Sequence, residues 1–380
     1  MNKTKLKVGT DFSGIGAPEM ALNNLGIDYE QVFSCEIDKY ARQSYLAMHQ
    51  APGKFYNDIT KRNHEEVEQL DLYIAGFPCQ AFSIAGQRKG FDDVRGTLFF
   101  DVAEFIRINQ PKMFILENVK GLLSHDNGRT YQTITDILTN GGGTLNSQIS
   151  LDVFDDGLGY HCYAQVLNTK HYGIPQNRER IFIVGFKEFR DFNFPKKEPL
   201  KMKLKDMLQD NPESKYNLSI KALEYLRRAK EERNNENVNI EDGRGIASTI
   251  TTNYHKGVHN RGETYIKVDD KYFLSDKALN FYHKNHEKNQ KKGNGFTFSP
   301  SDGDVIASSI TTKEGSRMEN NYIESERIRR LTPIECWRLQ AFPDDAFFKA
   351  QEVCSDTQLY KQAGNSISVN VLERILNKMI

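Results

Sequence analysis

Four short apolar runs constrain this chain more than any other feature. Lys7–Phe12, Gln31–Glu36, Leu72–Ala75 and Lys112–Leu116 are β-rich, and a Gly-containing or acidic motif closes or follows each of them. Helical spacing lies between them, over Pro18–Leu25 and Leu98–Ile108, and Tyr160–Leu167 and Ile181–Phe186 extend the strand series. Strands alternating with helices predict an α/β fold with a mostly parallel sheet covered on both faces. In such sheets ligands sit beyond the carboxyl ends of the strands, so chemistry is expected in the motifs that follow them.

After Phe186 the pattern breaks. Residues 187–330 are rich in Lys, Asn and Glu, with a helix expected over Ala222–Arg233 and a loop over Lys284–Gly295. This block holds 28 Lys and Arg against 23 Asp and Glu, whereas the whole chain is balanced at 51 of each. A mildly basic centre in a mildly acidic frame suits a polyanion met on one side. Order returns at Leu331: Thr332 reads as a helix N-cap with Pro333 at the first helical position, and Ser366–Met379 as a last amphipathic helix. Gly141 to about Phe154 reads as a surface insertion. One repeat stands out, Ala247-Ser248-Thr249-Ile250-Thr251-Thr252 against Ala307-Ser308-Ser309-Ile310-Thr311-Thr312. Its copies read either as loops facing a polyanion, with Thr251 and Thr311 bonding phosphates, or as two paired core strands.

Composition excludes several classes. No apolar run approaches the roughly 18 residues of a membrane span, and no apolar segment follows the basic start as in a secretory signal. Five cysteines with no Cys-x-x-Cys pair argue against a disulfide framework or zinc knuckle and for a reducing cytoplasm. The His255/His259 and His283/His286 pairs lie in polar sequence without nearby Cys, so no metal is expected.

The motifs after the strands carry the chemistry. Phe12-Ser13-Gly14-Ile15-Gly16 lets a cofactor approach the backbone at a helix start, and Glu36, ending the next strand, suits ribose hydroxyls. Asp58 could accept from an adenine amino group. Gly76-Phe77-Pro78-Cys79-Gln80 holds a Cys at the edge of the cleft, where its thiolate is a fitting nucleophile for a soft carbon. The segment to Arg95 reads as a closing loop with charge for phosphates, and Gln80, Ser83, Arg88 and Arg95 are its phosphate-facing candidates. Glu117, at a strand end, is a candidate general acid. Arg178 and Arg180 are two apart at a strand start, where their forks could hold a carboxylate and a phosphate. Gly364-Asn365-Ser366 precedes the last helix and reads equally well as a plain cap.

Gly76-Phe77-Pro78-Cys79-Gln80, Glu117-Asn118-Val119 and Gln176-x-Arg178-x-Arg180, in this order and spacing, resemble the DNA (cytosine-5)-methyltransferases of prokaryotic or phage type. The resemblance covers residues 8–186 and 327–380 around a divergent middle, and includes Arg329-Arg330-Leu331-Thr332-Pro333-x-Glu335-Cys336-x-Arg338-Leu339. It implies a Rossmann-like methyltransferase fold with a mostly parallel seven-stranded sheet and S-adenosyl-L-methionine as methyl donor. It implies a catalytic domain over residues 1–186 completed by 345–380, and a smaller target recognition domain over 187–344. Phe12, Gly14, Gly16, Glu36, Asp58, Ile59, Pro78, Leu98, Asn365 and Ser366 fall on donor-binding positions. Ile37 stands where a larger side chain often covers the adenine, and Thr10-Asp11-Phe12 where the family usually has Asp-Leu-Phe.

Cys79, Glu117, Arg178 and Arg180 fall on catalytic positions. The implied reaction adds the Cys79 thiolate to C6 of a flipped-out cytosine, with Glu117 at N3 and Arg178 holding O2 and orienting Glu117. The implied substrate is a specific double-stranded DNA sequence, bound by a monomer in the cytoplasm beside the nucleoid. Any restriction endonuclease of the same system is expected to act separately. Two alternatives are weaker. A tRNA cytosine-5 methyltransferase typically carries Cys-Phe-Thr, which is missing here, and an inactive DNA-binding homologue does not need Cys79, Glu117 and Arg178 intact.

Overall fold

The computed structural model describes residues 5–78, 98–139, 157–210, 212–218, 222, 225, 239–241, 244–256, 264–267 and 328–380. The chain divides into two compact units. The first comprises Met1–Leu167, Glu179–Lys196 and Val371–Ile380, and the second Asn168–Arg178 and Lys197–Asn370.

The first unit is built on a seven-stranded sheet. Its strands are β1 (Leu6–Asp11), β2 (Tyr29–Cys35), β3 (Lys54–Tyr56), β4 (Leu72–Ala75), β5 (Met113–Val119), β6 (His161–Asn168) and β8 (Glu179–Phe186), the label β7 belonging to the two-residue strand Gln176–Asn177. The order across the sheet is β3-β2-β1-β4-β5-β8-β6. The first five strands pair in parallel and β8 runs antiparallel to β5. Leu72, Tyr73, Ile74 and Ala75 are all buried, as a strand covered on both faces requires. Helices α1 (Ala17–Asn24), α2 (Lys39–Met48), α3 (Leu98–Asn109) and α4 (Arg129–Leu138) belong to this unit. From α3, Phe99, Val102, Ala103, Phe105 and Ile106 enter a core shared with Phe33, Tyr73, Phe114 and Leu116.

Register fixes which residues reach the carboxyl rim. Tyr56, Cys35, Asp11, Ala75 and Leu116 form one row across β3, β2, β1, β4 and β5. The next residues along the chain, Asn57, Glu36, Phe12, Gly76 and Glu117, therefore follow that row at the same end of the sheet. Because β8 is antiparallel, its start lies at this end too, with Arg180 opposite Val119 and Phe182 opposite Glu117. A parallel strand in that place would have carried Arg180 to the far end of the sheet.

The second unit holds β7, paired in parallel with β10 (Ala247–Ser248), and a three-stranded sheet of β12 (Ile328–Arg330), β11 (Thr264–Lys267) and β9 (Asn239–Glu241). Helices α5 (Pro333–Arg338), α6 (Asp344–Gln351) and α7 (Asp356–Asn365) follow. Thr332 caps α5, and its backbone N–H donates to Glu335 Oε2 at 2.7 Å. Arg329 clamps the same carboxylate with two bonds of 2.8 Å, both side chains buried. Trp337 is fully buried and donates to the Leu359 carbonyl at 2.9 Å.

The four founding strands and α1 and α3 lie within three residues of their sequence expectations. Helices α2, α4, α6 and α7 did not stand out in the sequence. The last helix, α8, begins at Val369 rather than Ser366. Asn365 and Ser366 therefore close α7 instead of opening α8, because Ser368 is drawn into bonds with Gln340 and Thr169. The compact units differ from the expected domain boundaries at three places. Residues 345–370 and Asn168–Arg178 group with the second unit, and residues 187–196 with the first. Ala222 and Tyr225 are helical, while most of the expected helix 222–233, the insertion 141–154 and the loop 284–295 lie outside the described residues.

Candidate active site

The loop after β1 turns sharply. Phe12, Gly14 and Gly16 have φ of 54°, 55° and 80°. Only Gly16 could stand here, since a Cβ would lie 2.3 Å from His49 Nε2. Among the described residues a Cβ at Gly14 would meet nothing nearer than the Phe12 carbonyl at 3.9 Å, so they leave the space beside that backbone open. Glu36 ties this loop to the one after β2: Gly14 N–H donates to Oε2 and Asp38 N–H to Oε1, both at 2.8 Å. Burial raises the Glu36 pKa, against the pull of these two N–H groups. Ile37, the next residue, is 73% exposed. Arg42 of α2 holds the turn by donating to the Glu36 and Ile37 carbonyls at 2.7 and 2.8 Å. Asp58 caps the turn Ile59–Lys61, accepting from the Thr60 hydroxyl at 2.8 Å and from Thr60 N–H at 3.0 Å, and the hydroxyl bond above all keeps its carboxyl below the usual range. An open glycine, a carboxylate with lone pairs to spare and an exposed aliphatic side chain fit a nucleoside, which has two hydroxyls and a flat apolar base. Arg42 was missed in the sequence because only the fold shows its helix turning back on the loop.

Beneath the loop lies a buried polar cluster. Thr10 and Tyr45 hydroxyls both donate to Glu19 Oε1 at 3.0 Å, while Oε2 has no bond among the described residues. Burial pushes the Glu19 pKa up to about 7. The folded state then binds this proton more tightly than the unfolded chain does. Stability from this group is full below the ordinary value of about 4.5, falls as pH rises towards 7, and stays low above it. Glu19→Gln keeps both accepted bonds and removes the titration. Its thermal midpoint should exceed wild type at pH 8 and lose that advantage by pH 5, the full difference being on the order of 3 kcal/mol at most. Parallel pH profiles for the two proteins would contradict this account.

The catalytic candidates of the first unit meet on β5 and β8. Glu117 is 8% exposed, and Arg180 Nε lies 3.1 Å from its Oε1. The two are diagonal neighbours on one face of an antiparallel pair, within reach of long side chains. Burial pulls the Arg180 guanidinium pKa down and Glu117 opposes it. Asn118, on the opposite face, is buried and donates to the Phe77 carbonyl at 3.0 Å. The backbone leading into Pro78 is thus pinned to β5 one residue from Glu117. Pro78 is exposed and Leu98 half-buried at the start of α3, while Ile59 is buried. Cys79, Gln80, Ser83, Arg88 and Arg95 lie outside the described residues, as does Thr311.

In the second unit Arg178 is buried and donates to the carbonyls of Ile250, Gly364 and Ser366 at 3.3, 3.2 and 2.8 Å. Within the first unit Arg180 sets its guanidinium on Glu117, and within the second Arg178 ties two loops together. Asn365 is exposed beside these carbonyls and Ser366 is buried. Thr251 departs from expectation. It is 2% exposed, and its carbonyl carbon lies 2.2 Å from where a Gly364 Cβ would stand. A side chain so covered does not reach a phosphate. Ala247–Ser248 pairs with Gln176–Asn177, and Thr249 donates to the Asn177 carbonyl at 2.8 Å. The first copy of the repeat is thus a packed element, and its Thr249 hydroxyl serves the backbone of its own unit.

Comparison with known proteins agrees with this geometry. The sequence profile of the C-5 cytosine-specific DNA methylases matches residues 8–380. The orphan methyltransferase M.SPRI of Bacillus phage SPR is 35% identical over 447 residues, covering 99% of this chain and 98% of its own. The type II methyltransferase M.HpaII of Haemophilus parainfluenzae is 35% identical over 393 residues, covering 97% and 87%. The crystal structure of the S. pombe Dnmt2 methyltransferase superposes with a TM-score of 0.64, covering 98% of this chain and 97% of its own, and at 17% identity this likeness speaks for the fold alone. With its profile matched from the first strand to the last residue and relatives of this identity along its whole length, the chain belongs to the C-5 cytosine-specific DNA methylases.

Proposed function

We propose that this DNA (cytosine-5-)-methyltransferase modifies one cytosine within a specific double-stranded sequence, flipping the base out of the helix, and that Cys79, Glu117, Arg180 and Arg178 are its catalytic group. The observation that carries the residue roles is the Glu117–Arg180 pair on the carboxyl rim, one residue from the Asn118 tether to Phe77. S-adenosyl-L-methionine, held by Phe12, Gly14, Gly16, Glu36, Ile37, Asp58, Ile59, Pro78, Leu98, Asn365 and Ser366, supplies an electrophilic methyl group. Glu36 takes the ribose hydroxyls and Ile37 covers the adenine. The Cys79 thiolate adds to C6 of the base, which turns C5 into a nucleophile. Glu117 holds N3 and its proton, stabilising charge that develops in the ring. Arg180 orients Glu117 and faces O2. Arg178 acts one step removed, as a positioning residue that holds the loops carrying Ile250 and Asn365. Loss of the C5 proton and β-elimination then free Cys79.

The catalytic domain of this reading is 1–186 with 345–380, and residues 187–344 carry target choice. Gln80, Ser83, Arg88 and Arg95 meet the DNA beside the flipped base, whose unstacking costs a few kcal/mol. The enzyme works as a monomer on cytoplasmic, nucleoid DNA. A restriction endonuclease, where one accompanies it, acts separately. Sequencing DNA from an expressing host for 5-methylcytosine should reveal one short methylated sequence. Replacing residues 187–344 by those of a relative with another target should move methylation to that relative's sequence, since base contacts discriminate by about 1–3 kcal/mol each. A chimera that keeps the original target would overturn this division of labour.

A further inference from the structure

The most enclosed charges of the first unit take no part in the reaction as described. Arg62 donates to Asp11 through both amino groups, Nη1 to Oδ1 at 2.7 Å and Nη2 to Oδ2 at 2.6 Å, and both side chains are fully buried. Tyr73 of β4 donates a third bond, to Asp11 Oδ2 at 2.7 Å. The Arg62 guanidinium lies 4.3 Å from the ring centre of Phe33, 4.6 Å from that of Phe105 and 5.4 Å from that of Tyr56. Its Nε faces His64 Nδ1 at 3.3 Å.

Stability alone is a poor reason for such a pair. Taking both ions out of water costs so much that apolar residues of similar volume generally hold a core together as well or better. The planar fork does supply geometry: two parallel bonds fix distance and orientation together, and the surrounding rings leave the guanidinium no other position. What it joins is telling. Asp11 is the last residue of β1, and Phe12 follows it with its left-handed φ and then Gly14 with the open space. Arg62 closes the turn Ile59–Lys61 that Asp58 caps, its N–H bonded to the Ile59 carbonyl at 3.3 Å. These are separate rim segments, after β1 and after β3, with β2 between them in the sheet. Glu36 bridges the β1 and β2 loops. The fork bridges the β1 and β3 loops.

We propose that the Asp11–Arg62 fork, closed by Tyr73, is a lock that holds the Phe12–Gly16 loop and the Asp58–Ile59 turn at the spacing the donor's nucleoside requires, so that it sets donor affinity rather than fold stability or the methyl-transfer step. The lock rests on the donor-site reading above, and the experiment separates the two. Asp11→Leu/Arg62→Met removes both charges and keeps an apolar core. Tyr73→Phe removes one bond without changing shape. Glu36→Ala tests the donor site itself. For each, the thermal midpoint is measured, binding of S-adenosyl-L-homocysteine is followed by calorimetry on DNA-free enzyme, and KM for the donor and kcat are determined.

The double variant should melt at or above the wild-type midpoint, yet bind S-adenosyl-L-homocysteine at least about tenfold more weakly. Its KM for the donor should rise by a similar factor, with kcat at saturating donor and DNA affinity near wild type. Tyr73→Phe should lose about threefold in affinity for the same ligand with a small change in midpoint. Wild-type affinity in a folded double variant overturns the lock. If that variant does not fold, unchanged affinity in Tyr73→Phe overturns it. A double variant with wild-type affinity beside a weakened Glu36→Ala removes the lock alone. Wild-type affinity in Glu36→Ala removes the donor-site reading, and the lock with it.

Discussion

Duplex DNA carrying 5-fluorocytosine at the target position should become covalently attached to the wild-type enzyme and not to Cys79→Ser. The fluorine at C5 cannot leave as a proton, so once the methyl group is transferred the bond from Cys79 to C6 has no route to break. The adduct then survives denaturing electrophoresis as a slower band. Cys79→Ser should lose that band and most of its turnover, because a serine hydroxyl is almost entirely protonated at neutral pH and is a far weaker nucleophile than a thiolate. Its affinity for duplex should stay near wild type, since phosphate contacts supply most binding energy. The structural support is local. Cys79 follows Pro78, and the Phe77 carbonyl before it is held by Asn118 at 3.0 Å. A band that persists in Cys79→Ser would show that another residue is the nucleophile.

Much of this frame was legible in the sequence, for reasons that can be named. Leu72–Ala75 is apolar at every position because both its faces are covered, and such a run has few other uses. Glu36, Glu117 and the Gly14/Gly16 turn were found because they follow such runs. Other features depend on facts no local pattern contains. Helix α2 is more polar than α1 or α3, burying Ala41, Ser44 and Tyr45, so its Arg42 was not seen as a clamp on the loop after β2. Arg178 and Arg180 look alike on paper, two residues apart in one motif. The chain breaks between β7 and β8 at Arg178, which turns to the carbonyls of Ile250, Gly364 and Ser366, while Arg180 enters the sheet beside Glu117. Thr251 reads as a hydroxyl on a β-like loop, and only the fold shows Gly364 giving up its side chain so that the Thr251 backbone can pack against it. Spacing identifies residue types that can act. Where each of them lies depends on pairing far along the chain.

The Glu117–Arg180 pair allows catalysis and stability to be separated in one set of variants. Glu117→Gln keeps the shape and can still bond to N3 of the base, but it cannot hold and pass a proton. Turnover should fall by about 10²–10⁴, and the thermal midpoint should drop, because the buried Arg180 guanidinium loses its counter-charge. Arg180→Met breaks the same pair from the other side. It takes the Arg180 cation away from the largely buried Glu117 carboxylate, and breaking a buried pair from one side costs up to about 3–5 kcal/mol. Its midpoint should drop, and its turnover should fall as well, because Glu117 is no longer held towards the base. The double variant, Glu117→Gln with Arg180→Met, has no stranded charge, so it should regain most of the lost stability while remaining as inactive as Glu117→Gln alone. Such non-additivity in both quantities is what direct contact predicts, since groups acting as one unit cannot be lost twice. Single-turnover methyl transfer at saturating DNA and donor, with thermal unfolding of the same four proteins, supplies the cycle. Two outcomes would break the assignment. Additive losses of turnover would mean that the arginine serves the base independently of Glu117. Turnover in Glu117→Gln within about threefold of wild type would mean that protonation at N3 is not this residue's task.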